Sequence, residues 1–345
     1  MSLIKLFNKK YKTQLFTTPS HSQKFFITSK FQQFYKYDIS ETEVHNPQLA
    51  LQKAQDWAAK VYGTKQTCFL TNGSTSGVIT AVLSCVKRGE RVLIWEHSHP
   101  CHKNAVELAG AECEFYSLEK DKDWDLYKSV NPQTIEKRLQ ETNAKAVIIT
   151  SPSYEGIVSE ILKIKNICEK YKTFLIVDEA HGALYPFSEQ LPQSAVNIAD
   201  FTVQSLHKTA GGLNPTALIH TNTNINLHEA LEKISTTSPS YPILYTIERN
   251  IMYLNSQKGR KNLNTLIENI KLLRENCKNV EFFSGDDITK IIVKKEDLSG
   301  LELSEKLFEN YIEDERANAK SVMLLCGIGT DKAKLKRLEK VLKKV

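Results

Sequence analysis

Short apolar runs rich in β-branched and aromatic residues recur between residues 60 and 220: TCFL, RVLIW, ECEFY, AVIIT, FLIV, DFTV and TALIH. The stretches between them carry apolar residues at helical spacing, as in Val78, Ile79, Val82, Leu83 and Val86. Strands alternating with amphipathic helices predict an α/β fold, a mainly parallel seven-stranded sheet sandwiched by helices. In such sheets ligands gather at the carboxyl ends of the strands.

Residues 1–50 read as an N-terminal arm, in which FTTPSH and YDISETEVHNP have the Pro, Ser and Asp chemistry of loops. After residue 222, helical patterns at 226–235 and 241–274 lead into the strand ITKIIVKK and a helix near 302–311. The strand SVMLLC and a final helix, KAKLKRLEKVLKK, follow. The expected organisation is an arm (1–50), a ligand-binding large domain (51–250) and a smaller C-terminal α/β domain (251–345). No internal repeat is present.

Composition narrows the partners. Of 345 residues, 41% are hydrophobic and 25% charged, the balance of a globular protein rather than a disordered chain. The net charge of +6 is spread along helical faces, which argues against a nucleic-acid partner. No run of about 18 apolar residues predicts a membrane span, and MSLIKLFNKKYKTQLF lacks the apolar core of a secretory signal. Seven cysteines without a C-x-x-C pair fit reduced thiols and a cytoplasmic location.

Three segments carry candidate chemistry. TNGSTSG leaves a strand and enters a helix, so Gly73, Ser74, Thr75 and Ser76 lie at a helix N-terminus. There, free N–H groups and the helix dipole suit a phosphate, although an ordinary hydroxyl cap reads the same way. FLIVDEAHGA sets Asp178 at the end of a buried strand, fit either to hold a pyridine nitrogen protonated or to cap a turn. FTVQSLHKTAGG brings Lys208 to the same crevice, where an amine can form a Schiff base with an aldehyde. A phosphate cradle, a pyridinium partner and a Schiff-base lysine, in that order, are the requirements of pyridoxal 5'-phosphate. The cluster His97, His99, Cys101 and His102 has the wrong spacing for a recognised zinc pattern, and no metal is expected.

FLTNGSTSG, RVLIWEHSHPCHKNAVELAGAE, ITSPSYEGIVSEI, LIVDEAHGALYPF, QSLHKTAGGLNPTALI and STTSPSYP together resemble the Orn/Lys/Arg decarboxylases, pyridoxal-phosphate enzymes of fold type I, over about residues 16–330. The resemblance implies decarboxylation of a basic L-amino acid through a Schiff base on Lys208, with Asp178 at the pyridine nitrogen. It also implies phosphate contacts from Ser74, Thr75, Ser76, Ser205 and His207. His99 and Ala180 would lie on opposite faces of the ring, with His181 near the ring oxygen or the substrate carboxylate. Lys208 and His99 are the expected proton donors. A homodimer or higher homo-oligomer is implied, with Thr236 to Tyr241 reaching the neighbour's site. For the distal cation of the substrate Glu155 is preferred, with Glu41 and Glu43 as further candidates. The chain resembles a short form of the family. It has PSH where the family usually has Pro-Gly-His, and SETEVHNP is shorter than the family's acidic loop.

An aminotransferase or cysteine desulfurase would share the lysine and the aspartate. The former would need an arginine clamp, for which Arg249, Arg260 and Arg316 are available, and the latter a mobile thiol, whereas Cys326 reads as core. A non-catalytic, cofactor-binding regulator is the alternative of another class.

Overall fold

The computed structural model describes Leu3, Lys5, Asp38, Ile39 and residues 47–345. Helix α1 (Pro47–Tyr62) leads into β1 (Gln66–Leu70), α2 (Gly73–Cys85), β2 (Arg91–Trp95), α3 (Pro100–Leu108) and β3 (Glu112–Tyr116). A hairpin of β4 (Lys120–Asp121) and β5 (Leu126–Tyr127) follows, then α4 (Pro132–Thr142), β6 (Ala146–Thr150), α5 (Ile161–Lys170) and β7 (Phe174–Asp178). The first half closes with β8 (Phe201–Ser205), the single-turn α6 (Leu206–Thr209) and β9 (Ala217–Thr221).

These strands form a seven-stranded sheet in the order β1-β9-β8-β7-β6-β2-β3, in which only β9 runs against its neighbours. Both faces are covered. Ile148 and Ile176 pack with Val78, Val82 and Val106 of α2 and α3, while Val147, Ile149 and Val177 pack with Ile135, Leu139 and Ile164 of α4 and α5. Burial on both faces is why these strands read as continuous apolar runs rather than alternating ones. Among the described residues no helix is long and apolar enough to cross a membrane.

Helix α2 lies close on the sheet because Gly77 has no side chain. A Cβ there would sit 2.6 Å from Val203 Cγ1 and 2.8 Å from Leu70 Cδ1. Gly77→Ala is therefore expected to destabilise the fold by about 1–3 kcal/mol through overpacking, read as a lower urea midpoint at unchanged slope. An unchanged midpoint would show that the sheet yields instead.

The remainder comprises α7 (His228–Glu232), α8 (Tyr241–Asn255), α9 (Gln257–Asn276), β10 (Glu281–Phe282), β11 (Lys290–Lys294), α10 (Gly300–Glu309), β12 (Arg316–Ala317), β13 (Val322–Leu325) and α11 (Lys332–Leu342). Its strands form an antiparallel sheet ordered β10-β11-β13-β12. The helical run expected over 241–274 is broken at Ser256, whose extended backbone and hydroxyl cap α9 by accepting from the Gly259 N–H at 3.0 Å. The expected division after residue 250 falls inside α8. The two sheets share one core, in which Leu206 and Leu218 join Leu263, Leu303, Val322 and Leu335. Trp124 and Leu126, on the hairpin segment, also pack on Ile292 and Met323 of the second sheet.

Candidate active site

The carboxyl ends of β1, β2, β6, β7 and β8 converge on a cavity of about 860 Å³. Its wall carries Ser74, Thr75, His99, Glu155, Asp178, Ala180, His181, His207 and Lys208. Those nine expected site residues, drawn from five segments of the chain, are brought together.

Asp178 ends β7, with Thr150 and Val203 as its neighbours across the sheet. Its Oδ1 accepts from the Ala180 N–H at 3.1 Å and its Oδ2 lies 2.9 Å from His102 Nε2. Burial works to raise this carboxyl, but the His102 hydrogen bond and charge, Lys208 and the Ala180 amide outweigh it, so its pKa is lowered. The wall therefore holds a fixed anion.

Lys208 lies in the one-turn helix after β8, and its Nζ is 3.0 Å from His181 Nε2. Burial lowers the amine below the ordinary lysine range, opposed by Asp178, Cys101 and Glu315. Burial, then the charges of Lys208 and Lys290, holds His181 far below its usual value, a neutral imidazole able to accept from the amine. The Tyr154 ring packs on it at 4.4 Å.

At the start of α2, Gly73 takes φ +75° and its N–H goes to the Pro215 carbonyl at 2.8 Å. Asn72 makes no side-chain cap, so the next N–H groups have no capping acceptor and a helix dipole behind them. Ser74 and Thr75 extend that donor set. Ser76 does not line the cavity: one residue further round the turn, its hydroxyl donates to the Gly73 carbonyl at 2.8 Å. Ser205 is also off the wall, because its side chain is sealed in the core, its Oγ without a hydrogen-bond partner among the described residues. His207 donates from Nδ1 to the Thr216 carbonyl at 2.9 Å, which orients its ring. His99 caps α3, its Nδ1 accepting from the Cys101 N–H at 3.2 Å, and partial burial lowers its pKa.

The Orn/Lys/Arg decarboxylase major-domain profile matches residues 6–297. The chain belongs to the Orn/Lys/Arg decarboxylase family. It is 27% identical to an arginine decarboxylase of Bacillus cereus over 317 residues, 83% of this chain and 67% of that one. An uncharacterized protein of Bacillus subtilis, YaaO, is 28% identical over 339 residues, 91% of this chain and 71% of the relative. The fold superposes on the lysine decarboxylase LdcF of Francisella novicida with a TM-score of 0.87 at 18% identity, covering 99% of this chain and 59% of that one. The constitutive lysine decarboxylase of Escherichia coli gives 0.83 at 18% identity, covering 99% and 60%. The chain thus spans about six-tenths of the length of those two enzymes. The fold is pyridoxal-phosphate fold type I, as expected.

The outer wall combines the SYEG segment after β6 with Arg316 of the second sheet. Glu155 Oε2 accepts from Ser153 Oγ at 3.1 Å, and its Oε1 is 3.3 Å from Arg316 Nη1. Glu155 is 15% exposed and Arg316 60% exposed, so the pair sits at the cavity mouth. Tyr154 hydrogen-bonds Glu315 beside it. Glu41 and Glu43 lie outside the described residues. Two residues named in the sequence only for other roles, Arg316 as a possible carboxylate clamp and His102 in a possible metal cluster, belong to the surroundings of this cavity. Arg316 is carried in from the second sheet by β12, with no local signal. His102 had one: it follows the cavity-facing His99 by three positions, one helical turn. Of the histidine-rich loop, His97, His99 and Cys101 line the cavity while His102 turns beneath it, and a Cys101 and a His102 atom lie within 4.8 Å of an Asp178 oxygen.

Proposed function

We propose that this chain decarboxylates arginine, lysine or ornithine to the corresponding amine and carbon dioxide, using pyridoxal phosphate. The observation that carries the reading is a buried aspartate anion and a lysine with a lowered pKa on the wall of one cavity, facing an uncapped helix N-terminus. A cavity of about 860 Å³ is ample for the cofactor with an amino acid. When bound, pyridoxal phosphate supplies an aldehyde for amines and a ring that takes up the electron pair left on Cα as carbon dioxide departs.

The protein's part is positional and electrostatic. The first N–H groups of α2, with Ser74, Thr75 and His207, receive the phosphate dianion. Ser205 and Ser76, both off the cavity wall, act only by supporting this floor. Asp178, its pKa lowered so that it stays an anion, would hold the ring nitrogen of the cofactor protonated. His99 and Ala180, both on the cavity wall, would confine the ring from its two faces. Lys208 Nζ, held by its hydrogen bond to the neutral His181, would be the amine offered to the cofactor's aldehyde. The proton that replaces the carboxylate comes from Lys208 Nζ or His99 Nε2, the Nδ1 of His99 being engaged by the helix. Glu155 receives the distal cation of the substrate by exchanging its pairing with Arg316. Glu41 and Glu43 are the remaining carboxylates proposed for that role. We assign the chain to the cytoplasm and to a homodimer or higher homo-oligomer, in which Thr236–Tyr241 approaches the neighbour's site.

Besides the lysine and the aspartate, an aminotransferase would require a guanidinium able to grip an α-carboxylate, and among the described residues Arg316 lines the cavity. Its pairing with Glu155 at the mouth favours gating over that clamp. The two readings separate on products: arginine, lysine and ornithine are supplied singly to the cofactor-loaded protein, and carbon dioxide and amine are measured. One of the three is expected to give both in equal amounts. Keto acid or alanine in their place would overturn the assignment, and a loaded protein silent on all three would indicate a non-catalytic binder.

A further inference from the structure

Beneath the cavity, His102 faces the far side of the aspartate that the site presents to its ligand. Helix α3 begins at Pro100 with His99 as its cap, and the His102 N–H donates to the His99 carbonyl at 2.9 Å. One turn in, the His102 ring passes under the wall and is 0% exposed. Its Nε2 lies 2.9 Å from Asp178 Oδ2, while Asp178 Oδ1 is held by the Ala180 N–H at 3.1 Å. Each carboxylate oxygen thus has one donor, and the two donors come from different elements. That pins the plane of the carboxylate as well as its charge.

The other ring nitrogen, His102 Nδ1, is buried and has no hydrogen-bond partner among the described residues. With Nδ1 unpartnered, Nε2 is the ring atom that engages the site, donating to Asp178 Oδ2. The charged or titratable groups around the pair are Lys208, His99, His181 and Cys101. Burial and Asp178 push the Cys101 thiol up to about 12, so it adds no negative charge.

We propose that His102 is a positioning residue for this site: donating from Nε2 to Asp178 Oδ2, it holds that carboxylate as an anion aimed at the cofactor ring. The inference rests on the function proposed above. Removing the donor leaves a buried carboxylate with one hydrogen bond, and protonation of Asp178 becomes easier. The consequence reaches the reaction through the ring nitrogen, not through the amino-acid pocket.

The test compares His102→Leu, which fills the space without a donor, with His102→Gln, whose Nε2 amide stands near the position of the imidazole Nε2. Hydrogen bonds to charged groups of this kind correspond to an expected fall in kcat of about 10–100-fold in the leucine variant, with KM nearly unchanged. The acid limb of its kcat profile is expected to move up by about 1–2 pH units. The pH at which affinity for pyridoxal phosphate falls off, followed by visible absorbance without substrate, is expected to move the same way. The glutamine variant is expected to recover most of all three. Leucine and glutamine variants that match one another, or acid limbs that stay at the wild-type position, would overturn the role of His102 while leaving the decarboxylase reading intact. A wild-type protein that neither takes up pyridoxal phosphate nor releases carbon dioxide would overturn both.

Discussion

Lys208→Ala is expected to eliminate the visible absorption of bound pyridoxal phosphate and to lower decarboxylation by at least about 10⁴-fold, the scale on which removing a covalent catalytic group acts. Two other lysines line the cavity, but Lys120 is paired with Asp125 and Lys128 lies 3.4 Å from Glu119. Neither is among the charges that shift Asp178, whereas Lys208 is. The loss should be chemical rather than structural, because the lysine is only part-buried and gives up one hydrogen bond, to His181. Thermal unfolding of the cofactor-free variant should therefore match the wild type. Lys208→Arg should fail equally, since a guanidinium stays protonated where an amine must be free. Because burial lowers the Lys208 pKa, the association rate with pyridoxal phosphate should rise with pH through a midpoint below that of an exposed lysine. Wild-type absorbance in the alanine variant would refute the assignment.

The large sheet was legible because its inner strands are buried on both faces and so read as unbroken apolar runs between helical stretches, while the edge strand β3 is only partly buried. Asp178 and Lys208 were legible for the same reason: each follows such a run, and a residue at that point can hardly avoid the crevice. Hydroxyl roles were less so. Successive residues in the first turn of α2 rotate by about 100°, and that rotation sends Ser74 and Thr75 to the cavity but Ser76 back onto Gly73. Nor can a run of apolar residues say where its last hydroxyl points, and Ser205 points into the core. Arg316 was out of reach, since β12 is two residues long and its partner Glu155 is 161 positions away in the chain. The break at Ser256 was visible only as a serine three positions before a glycine, inside a pattern that otherwise continued.

The largest expected loss of stability comes from Asp287→Ala, about 3–5 kcal/mol, because it strands a buried ammonium. Asp287 Oδ2 is 2.8 Å from Lys290 Nζ, and both side chains are 0% exposed. The carboxylate also accepts from Tyr185 Oη at 3.0 Å and from Thr289 Oγ1 at 2.6 Å. Lys290 spends another hydrogen on the His181 carbonyl at 3.3 Å. Gly156, at φ +85°, packs against both residues, where a Cβ would meet Lys290 Cγ at 2.7 Å. The second sheet, the loop after β6 and the loop after β7 thus meet at one ion pair. Removing the aspartate alone should lower the urea midpoint sharply, whereas replacing the pair together, Asp287→Leu with Lys290→Met, should recover much of the loss, because burying neither charge costs less than burying one. Equal losses in the single and double variants would show that packing rather than charge sets the penalty. The recovered double variant still lacks the Lys290 hydrogen bond to the His181 carbonyl. His181 in turn accepts from Lys208, so activity should fall in a protein whose stability has returned, and that separation ties the buried pair to the placement of the reactive amine.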